Sequence, residues 1–418
     1  MRLLISFAAL FLSITFLQLS SGAIAPLDAL SGLQIGFSET QIGLLGSAHF
    51  FGFFIGCWWA PRLLGSVGHA RGFAAFAAFG AIGAIAHPML IDPTAWAIMR
   101  VMTGLCVAGC YTIIEAWMHA KVTNSSRGRV MGTYRVVDIG ASSIAQLMIG
   151  FLEPAAFISY NLLAILCCAC LFPLTLTQAR QPETPEAPRL HPIRTALVSP
   201  LGVAGVLVAG LTAASFRMVS PIYGAEIGLT ATQIGSLLAT ALVGGALAQL
   251  PVGWLADRYD RRWVLIGLSA AAVAVSAGLV SVGDNPTFVF ILTFAFGMTT
   301  WPIFSVSTAH ANDFTAPEDV VEINASLMFH YGLGAIASPL IASALIAAYG
   351  ASALFAFITT AHVLLVIFGF ARMRARPAAK DRVSYKYTPR TSFTIGRMLR
   401  RKKSRSEDNQ TLQDSASD

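Results

Sequence analysis

The chain has 418 residues, of which 55% are hydrophobic and only 12% charged, with a formal net charge of +7 and a mean hydropathy of +0.66. A soluble domain is about 45–50% apolar and about 25% charged. Half the usual charge leaves too little polar surface to wet a globule of this size, which excludes a soluble fold and points to an all-α membrane protein.

A helix needs roughly 20 apolar residues to cross a bilayer. On that ruler the sequence predicts twelve transmembrane helices, at about 4–28, 41–60, 72–91, 95–117, 130–151, 157–177, 197–222, 231–255, 263–282, 287–309, 322–347 and 351–371. Gly and Pro recur inside these runs, which a bundle tolerates because neighbouring helices satisfy the freed backbone groups. The first run, MRLLISFAALFLSITFLQLSSGAIA, also has the outline of a signal peptide. Its removal would leave eleven spans and break the repeat described next, so it is taken as a span. Cys57, Cys106, Cys110, Cys167, Cys168 and Cys170 all fall inside spans. They are expected to be small packing residues; the CCAC at 167–170 is a weak metal signal, and no metal site is expected.

FSETQIG at 37–43 returns as LTATQIG at 229–235, an offset of 192 residues. Each copy carries a capping-box pattern, Ser38 with Gln41 and Thr230 with Gln233, which satisfies the free amides of a helix start. In the same register Gly52-x-x-x-Gly56 falls on Gly244-x-x-x-Ala248, small residues that let two helices approach closely. The turn PRLLGSVGHA at 61–70 falls on GWLADRYDRR at 253–262. The chain therefore divides into a six-helix half over 1–177, a Pro- and charge-rich linker over 178–196, a second six-helix half over 197–371 and a basic tail over 372–418. Parallel six-helix repeats are an architecture of secondary transporters, with the substrate site between the halves near the midplane.

Charge fixes the orientation. With the N-terminus inside, 25 of the 28 Lys and Arg fall in inner segments. The other three, Arg100, Arg135 and Arg217, lie within spans, while the outer loops carry Asp28, Glu39, Asp92, Glu153, Glu226 and Asp284. By the positive-inside rule both termini are cytoplasmic and the protein sits in the plasma (inner) membrane.

GWLADRYDRR resembles the G-x-L-a-D-R-x-G-R-R loop of the major facilitator superfamily, at the place between the eighth and ninth spans where that family repeats it. Arg100-x-x-x-Gly104 is similar to the family's Arg/Gly motif in the fourth span, and the resemblance covers about residues 1–372. EAWM at 115–118, HAND at 310–313 and YGLGA at 331–335 are similar to a poorly characterised bacterial branch of that family. The resemblance implies alternating access by rocking of the two halves. Two departures stand out: Gly65 occupies the place of the family's Asp in the first-half loop, where Gly68, His69 and Arg71 match only the motif's basic end, and Asp260 stands where Gly is usual in the second.

The second-half turn suggests a latch. Gly253, Asp257, Arg258, Arg261 and Arg262, with Arg62 and Arg71 from the first-half turn, are candidates to pair with helix ends across the halves, and Glu115 and Asp313 are the expected carboxylate partners. Such pairs would hold the outward-facing state; the plainer reading is a topology signal on a solubilised loop. Ionisable residues within spans are functional candidates by default. Asp138 lies roughly 12 Å deep at about 1.5 Å per residue, with Arg135 three residues away on the same face. At the 192 offset Asp138 falls on His330, so two titratable groups occupy matching positions and are the candidates for proton coupling; a static Arg135–Asp138 pair is the alternative. Arg135, Arg100, Arg217, Tyr331 and Gln146 are the candidate substrate-binding residues. Tyr134 and Trp301 are further cavity candidates, and His49, His87 and His362 are read as core or interface histidines.

No GxxxxGK[ST] loop for ATP occurs, and no cofactor motif or nucleophile–base set, so neither an enzyme nor a cofactor is expected. The expected partners are a small solute, protons and membrane lipids, with anionic lipid at the basic tail and no nucleic acid; the protein is read as a monomer. The solute is polar or anionic on the weight of three in-span arginines. Multidrug efflux, or a sensor on the same fold, are the other readings.

Overall fold

The two TQIG stretches open helices as their pattern requires. Gln41 N donates to Ser38 Oγ while Ser38 N donates to Gln41 Oε1 at 2.9 Å, and Thr230 and Gln233 repeat the exchange. In the computed structural model, which describes residues 7–122, 126–176, 190–283, 285–316, 318–375, 377 and 385, these caps start the second and eighth of twelve long helices. The first half runs α1 (Ala8–Gln34), α2 (Glu39–Val67), α3 (His69–Met89), α4 (Pro93–Lys121), α5 (Arg127–Leu147) and α6 (Phe157–Thr175). The second runs α7 (Pro200–Glu226), α8 (Ala231–Arg258), α9 (Arg261–Ser281), α10 (Pro286–Asn312), α11 (Val320–Tyr349) and α12 (Ala353–Ala375).

Eleven of these are long and apolar enough to cross a membrane. The exception is α5, whose 21 residues suffice in length but include Arg127, Arg129, Arg135 and Asp138. It is the most polar helix because it carries the chemistry described below. Most span boundaries agree with the sequence reading within a few residues. The first does not: α1 continues to Gln34, so Asp28 lies inside the bundle at 2% exposure rather than in an outer loop. Much of the linker and nearly all of the tail lie outside the described residues; the described end of the linker forms a short helix, Pro192–Val198.

Each half has its own apolar core. One cluster, from Phe7 to Leu174, draws on the first half alone; two others are built mainly from the second half and take in only a few first-half residues such as Cys57 and Ile42. Within the halves, helices meet through the predicted small residues. A Cβ on Gly52 would lie 2.1 Å from Val101 O, and one on Gly104 2.1 Å from His49 O, joining α2 to α4. The matching seam between α8 and α10 is made by Gly244 against Phe294 O and Gly297 against Ala241 O.

The halves touch most closely at one end of the bundle. There Gly43 faces Ser343, Gly46 faces Met218 and Pro339, and Gly235 faces the Gln146 carbonyl, while Leu340 N donates to Ser47 Oγ at 3.2 Å. The turn between α8 and α9, rich in arginine, lies at the opposite end. Overpacking costs about 1–3 kcal/mol per site, so Gly104→Val is expected to lower the melting temperature of the purified protein. Gly140→Ala, where a Cβ meets nothing within 4 Å, is expected to leave it unchanged or slightly raised.

Candidate functional site

The middle turns of α1, α2, α4, α5, α7, α8, α10 and α11 surround a cavity of about 200 Å³. Its polar wall on the first half is organised by Asp138. Oδ1 accepts from Gln18 Nε2 at 2.7 Å and from Tyr111 Oη at 2.6 Å, and Oδ2 accepts from Arg135 Nη1 at 3.4 Å. The donors come from α1, α4 and α5, so one carboxylate ties three helices. Arg135 also reaches Glu115 Oε1 with Nη2 at 3.5 Å, and Tyr134 Oη donates to the same oxygen at 3.1 Å. The guanidinium lies 4.7 Å from the centre of the Tyr134 ring. Two carboxylates thus share one arginine, all three side chains being at most 14% exposed.

The second-half wall is different. Arg217 lines the cavity from α7 and donates to the Ser21 carbonyl of α1 at 3.4 Å, and its Nε is buried without a hydrogen-bond partner. Around it stand Phe216, Trp301 and Tyr331, with Gln249 from α8. The two walls differ in charge: the first half brings Asp138 with its partner Arg135, the second brings Arg217.

Of the sequence-predicted residues, the structure brings Asp138, Arg135, Gln146, Arg217, Tyr331 and Trp301 together around the cavity. Arg100 and His330 are outside its lining. Arg100 is buried beside Asp28, Nε to Oδ2 at 3.5 Å, in a cluster where His87 Nε2 is 3.3 Å from Oδ2 and Tyr160 Oη donates to Oδ1 at 2.9 Å. His330 is one residue from Tyr331 but is not part of the lining; its Nδ1 pairs with the Ser326 carbonyl at 2.8 Å. Gln18, Tyr111 and Gln249 also line the cavity; sequence reading passed over them because they are neutral and no charge marks them. His49, read as a core or interface histidine, is buried and paired with Thr103 but also lines the cavity.

The turn residues pair mainly within the second half. Arg261, 1% exposed, donates to Asp313 and to the Ala309 and Ala256 carbonyls, with Asp257 at 3.4 Å. Arg262 grips Asp260. Glu115 is engaged by Tyr134 and Arg135. Arg258 and Arg62 lie over Trp254 and Trp58 of their own helices, and Arg71 is exposed on α3. The place of the Gly253 side chain is taken by the Tyr385 ring.

A multi-pass helical bundle with a charged cavity between two similar halves has the architecture of a membrane transporter. A model of the Major Facilitator Superfamily matches residues 6–225 and again 202–404, and the chain belongs to that family. It is 25% identical over 341 residues, 80% of this chain and 88% of the other, to an uncharacterised MFS-type transporter of Yersinia pestis. It is 24% identical over 364 residues, 85% of this chain and 94% of the other, to the uncharacterised MFS-type transporter YcaD of Escherichia fergusonii. Among solved structures the fold is shared with the nucleoside transporter NupG (TM-score 0.71, 13% identity, 88% of this chain and 98% of that one). It is also shared with a D-xylose-proton symporter (TM-score 0.64, 13% identity, 94% and 98%).

Removing one partner of a buried ion pair typically costs about 3–5 kcal/mol. Arg135→Ala removes the cation shared by two buried carboxylates, Asp138 and Glu115, and is expected to destabilise by that order, while Arg62→Ala, on an exposed side chain, should stay within about 0.5 kcal/mol; chemical denaturation of both variants checks this. Burial alone would raise the carboxyl of Asp260, but the side-chain and amide bonds from Arg262 outweigh it and hold the group below 3.8. A carboxyl depressed in the folded state contributes stability that is present above its ordinary value and lost as pH falls through the depressed one. The stability gap between the native chain and Asp260→Asn is therefore expected to narrow as pH is lowered below 3.8.

Proposed function

We propose that the chain is a secondary active transporter that moves a small polar or anionic solute by alternating access and is coupled to protons. In this reading it lies in the plasma (inner) membrane with both termini cytoplasmic. The observation that carries it is the charged cavity: Asp138, held by three donors, faces Arg217 across the seam between the halves. An anionic group entering the cavity is drawn to Arg217 and competes for Arg135. Loosening Arg135 from Asp138 leaves a carboxylate at the cavity wall with fewer donors, which favours taking up a proton. Solute and proton are thereby bound by one connected set of groups, with Gln146 and Tyr331 as further contacts. Arg100 and His330, outside the lining, are assigned no step.

The rocking bodies are the two halves, each with its own core; the Arg261–Asp313 pair joins the α8–α9 turn to α10 and keeps the second half rigid as it moves. One observation favours a second reading, multidrug efflux: the aromatic share of the lining, Phe50, Phe53, Phe216 and Trp301, also suits lipophilic cations.

A thermal-shift screen of purified protein against metabolites and drugs at two pH values separates the readings, since a ligand of the folded state raises the melting temperature. Organic anions are expected to stabilise in a pH-dependent manner, with the shift lost in Arg217→Gln and its pH dependence lost in Asp138→Asn. Hits confined to lipophilic cations would replace this proposal with the efflux reading.

A further inference from the structure

Two carbonyls that follow one another on α1 each hold a cavity residue from another helix. Arg217 Nη2 of α7 donates to the Ser21 carbonyl at 3.4 Å. Gln146 Nε2 of α5 donates to the Gly22 carbonyl at 3.1 Å. Successive residues of a helix are neighbours, so the guanidinium and the amide are held side by side, and both side chains line the cavity. Neither is satisfied by the protein. Arg217 Nε and Gln146 Oε1 are buried without a hydrogen-bond partner. None of the ion pairs among the described residues includes Arg217. Buried polar groups left unpaired are costly, so this wall offers a solute one cationic donor and, beside it, one neutral acceptor.

The rest of the lining narrows the solute further. Asp138 already accepts from Gln18, Tyr111 and Arg135, so it asks for no cation. Arg135 stands between Asp138 and Glu115, which leaves Arg217 as the lining arginine that lacks a carboxylate. One guanidinium pairs with one carboxylate through two parallel hydrogen bonds; a second carboxylate would be buried unpaired. Apolar rings supply much of the remaining wall, from Phe50, Phe53, Phe216, Trp301 and Tyr331. Phe50, Phe53 and Tyr331 also line a smaller pocket with Met328. At about 200 Å³ the cavity is smaller than the roughly 300–1,000 Å³ of drug-sized sites.

We propose that the solute is a small 2-hydroxy monocarboxylate with an apolar body, its carboxylate on Arg217, its hydroxyl donating to Gln146 Oε1 and its body against the rings. This rests on the anion reading of the cavity given above and names the class of anion. The hydroxyl is one carbon from the carboxylate, as suits two groups fixed on adjacent carbonyls. A 2-amino group would also donate, but as an ammonium it would cancel the charge that Arg217 pairs with. A dicarboxylate would leave its second charge among the rings.

The test is calorimetric titration of the full-length protein in detergent with four acids that share one ring. Mandelate carries the 2-hydroxyl, phenylacetate lacks it, phenylalanine replaces it with an ammonium and phenylsuccinate adds a second carboxylate. One hydrogen bond of ordinary net strength changes affinity about fivefold, so mandelate is expected to bind about fivefold more tightly than phenylacetate, and ahead of the other two. In Gln146→Leu that preference should vanish while phenylacetate binds as before; in Arg217→Gln both should be lost. Equal binding of mandelate and phenylacetate by the native chain, or a preference that persists in Gln146→Leu, overturns the hydroxyl contact. Binding that depends on Arg217 but places phenylsuccinate or phenylalanine ahead of mandelate overturns the 2-hydroxy monoacid and leaves the anion reading standing. Absence of any anion binding that depends on Arg217 overturns both.

Discussion

A carboxylate inside a bundle of apolar helices survives only with donors of its own, and Asp138 finds them on three helices. Gln18 fixes α1, Tyr111 fixes α4 and Arg135 fixes α5 around one pair of oxygens. Arg135 carries the constraint on to Glu115. The polarity of α5, which sets it apart from the eleven candidate spans, follows from this requirement. So does the position of the cavity, since the charged face of α5 must look inward and another half must complete the enclosure.

That other half answers with Arg217 and aromatic rings instead of a second carboxylate. The asymmetry is notable because the backbone of the two halves is repeated closely. The capping boxes at Ser38 and Thr230 and the glycine seams between α2 and α4 and between α8 and α10 are near copies of one design. What packs the helices recurs between the halves, and what faces the cavity does not. Tight packing at one end, by Gly43, Gly46 and Gly235, together with a mid-bundle cavity, gives two internally cohesive bodies with a seam between them.

Period and spacing made the scaffold legible in the sequence. Capping boxes, small-residue steps and the 192-residue offset all report local backbone geometry, which local residues decide. The Arg135–Asp138 pair was legible for the same reason, being three residues apart on one helix. Partners set by tertiary packing were not. Asp28 read as a loop anion because a hydropathy run ends where polar residues begin, whereas α1 continues six residues further to Gln34. Glu115 looked available to the loop arginines, yet Arg135 on the neighbouring helix is nearer. The equivalence of Asp138 and His330 held along the chain but not in space: the cavity wall in the second half is met by Tyr331, one residue and about 100° round the helix. Tyr385 could not be seen at all from its own neighbourhood, since its contacts lie more than a hundred residues away.

The Asp28 cluster clarifies what sets Asp138 apart. His87 Nδ1 sits 2.5 Å from the Gly83 carbonyl, an oxygen that can only accept, so that nitrogen carries a hydrogen. The other ring nitrogen faces Asp28 Oδ2 at 3.3 Å, with Arg100 Nε at 3.5 Å from the same oxygen. Asp28 and His87 are buried to within 2% and neither lines the cavity, so this cluster holds α1 to α3 and α4. Asp138 has a comparable set of donors but borders open space. A similar set of donors holds one carboxylate wholly inside the scaffold and the other at the edge of the cavity, and the difference between them is access to open space.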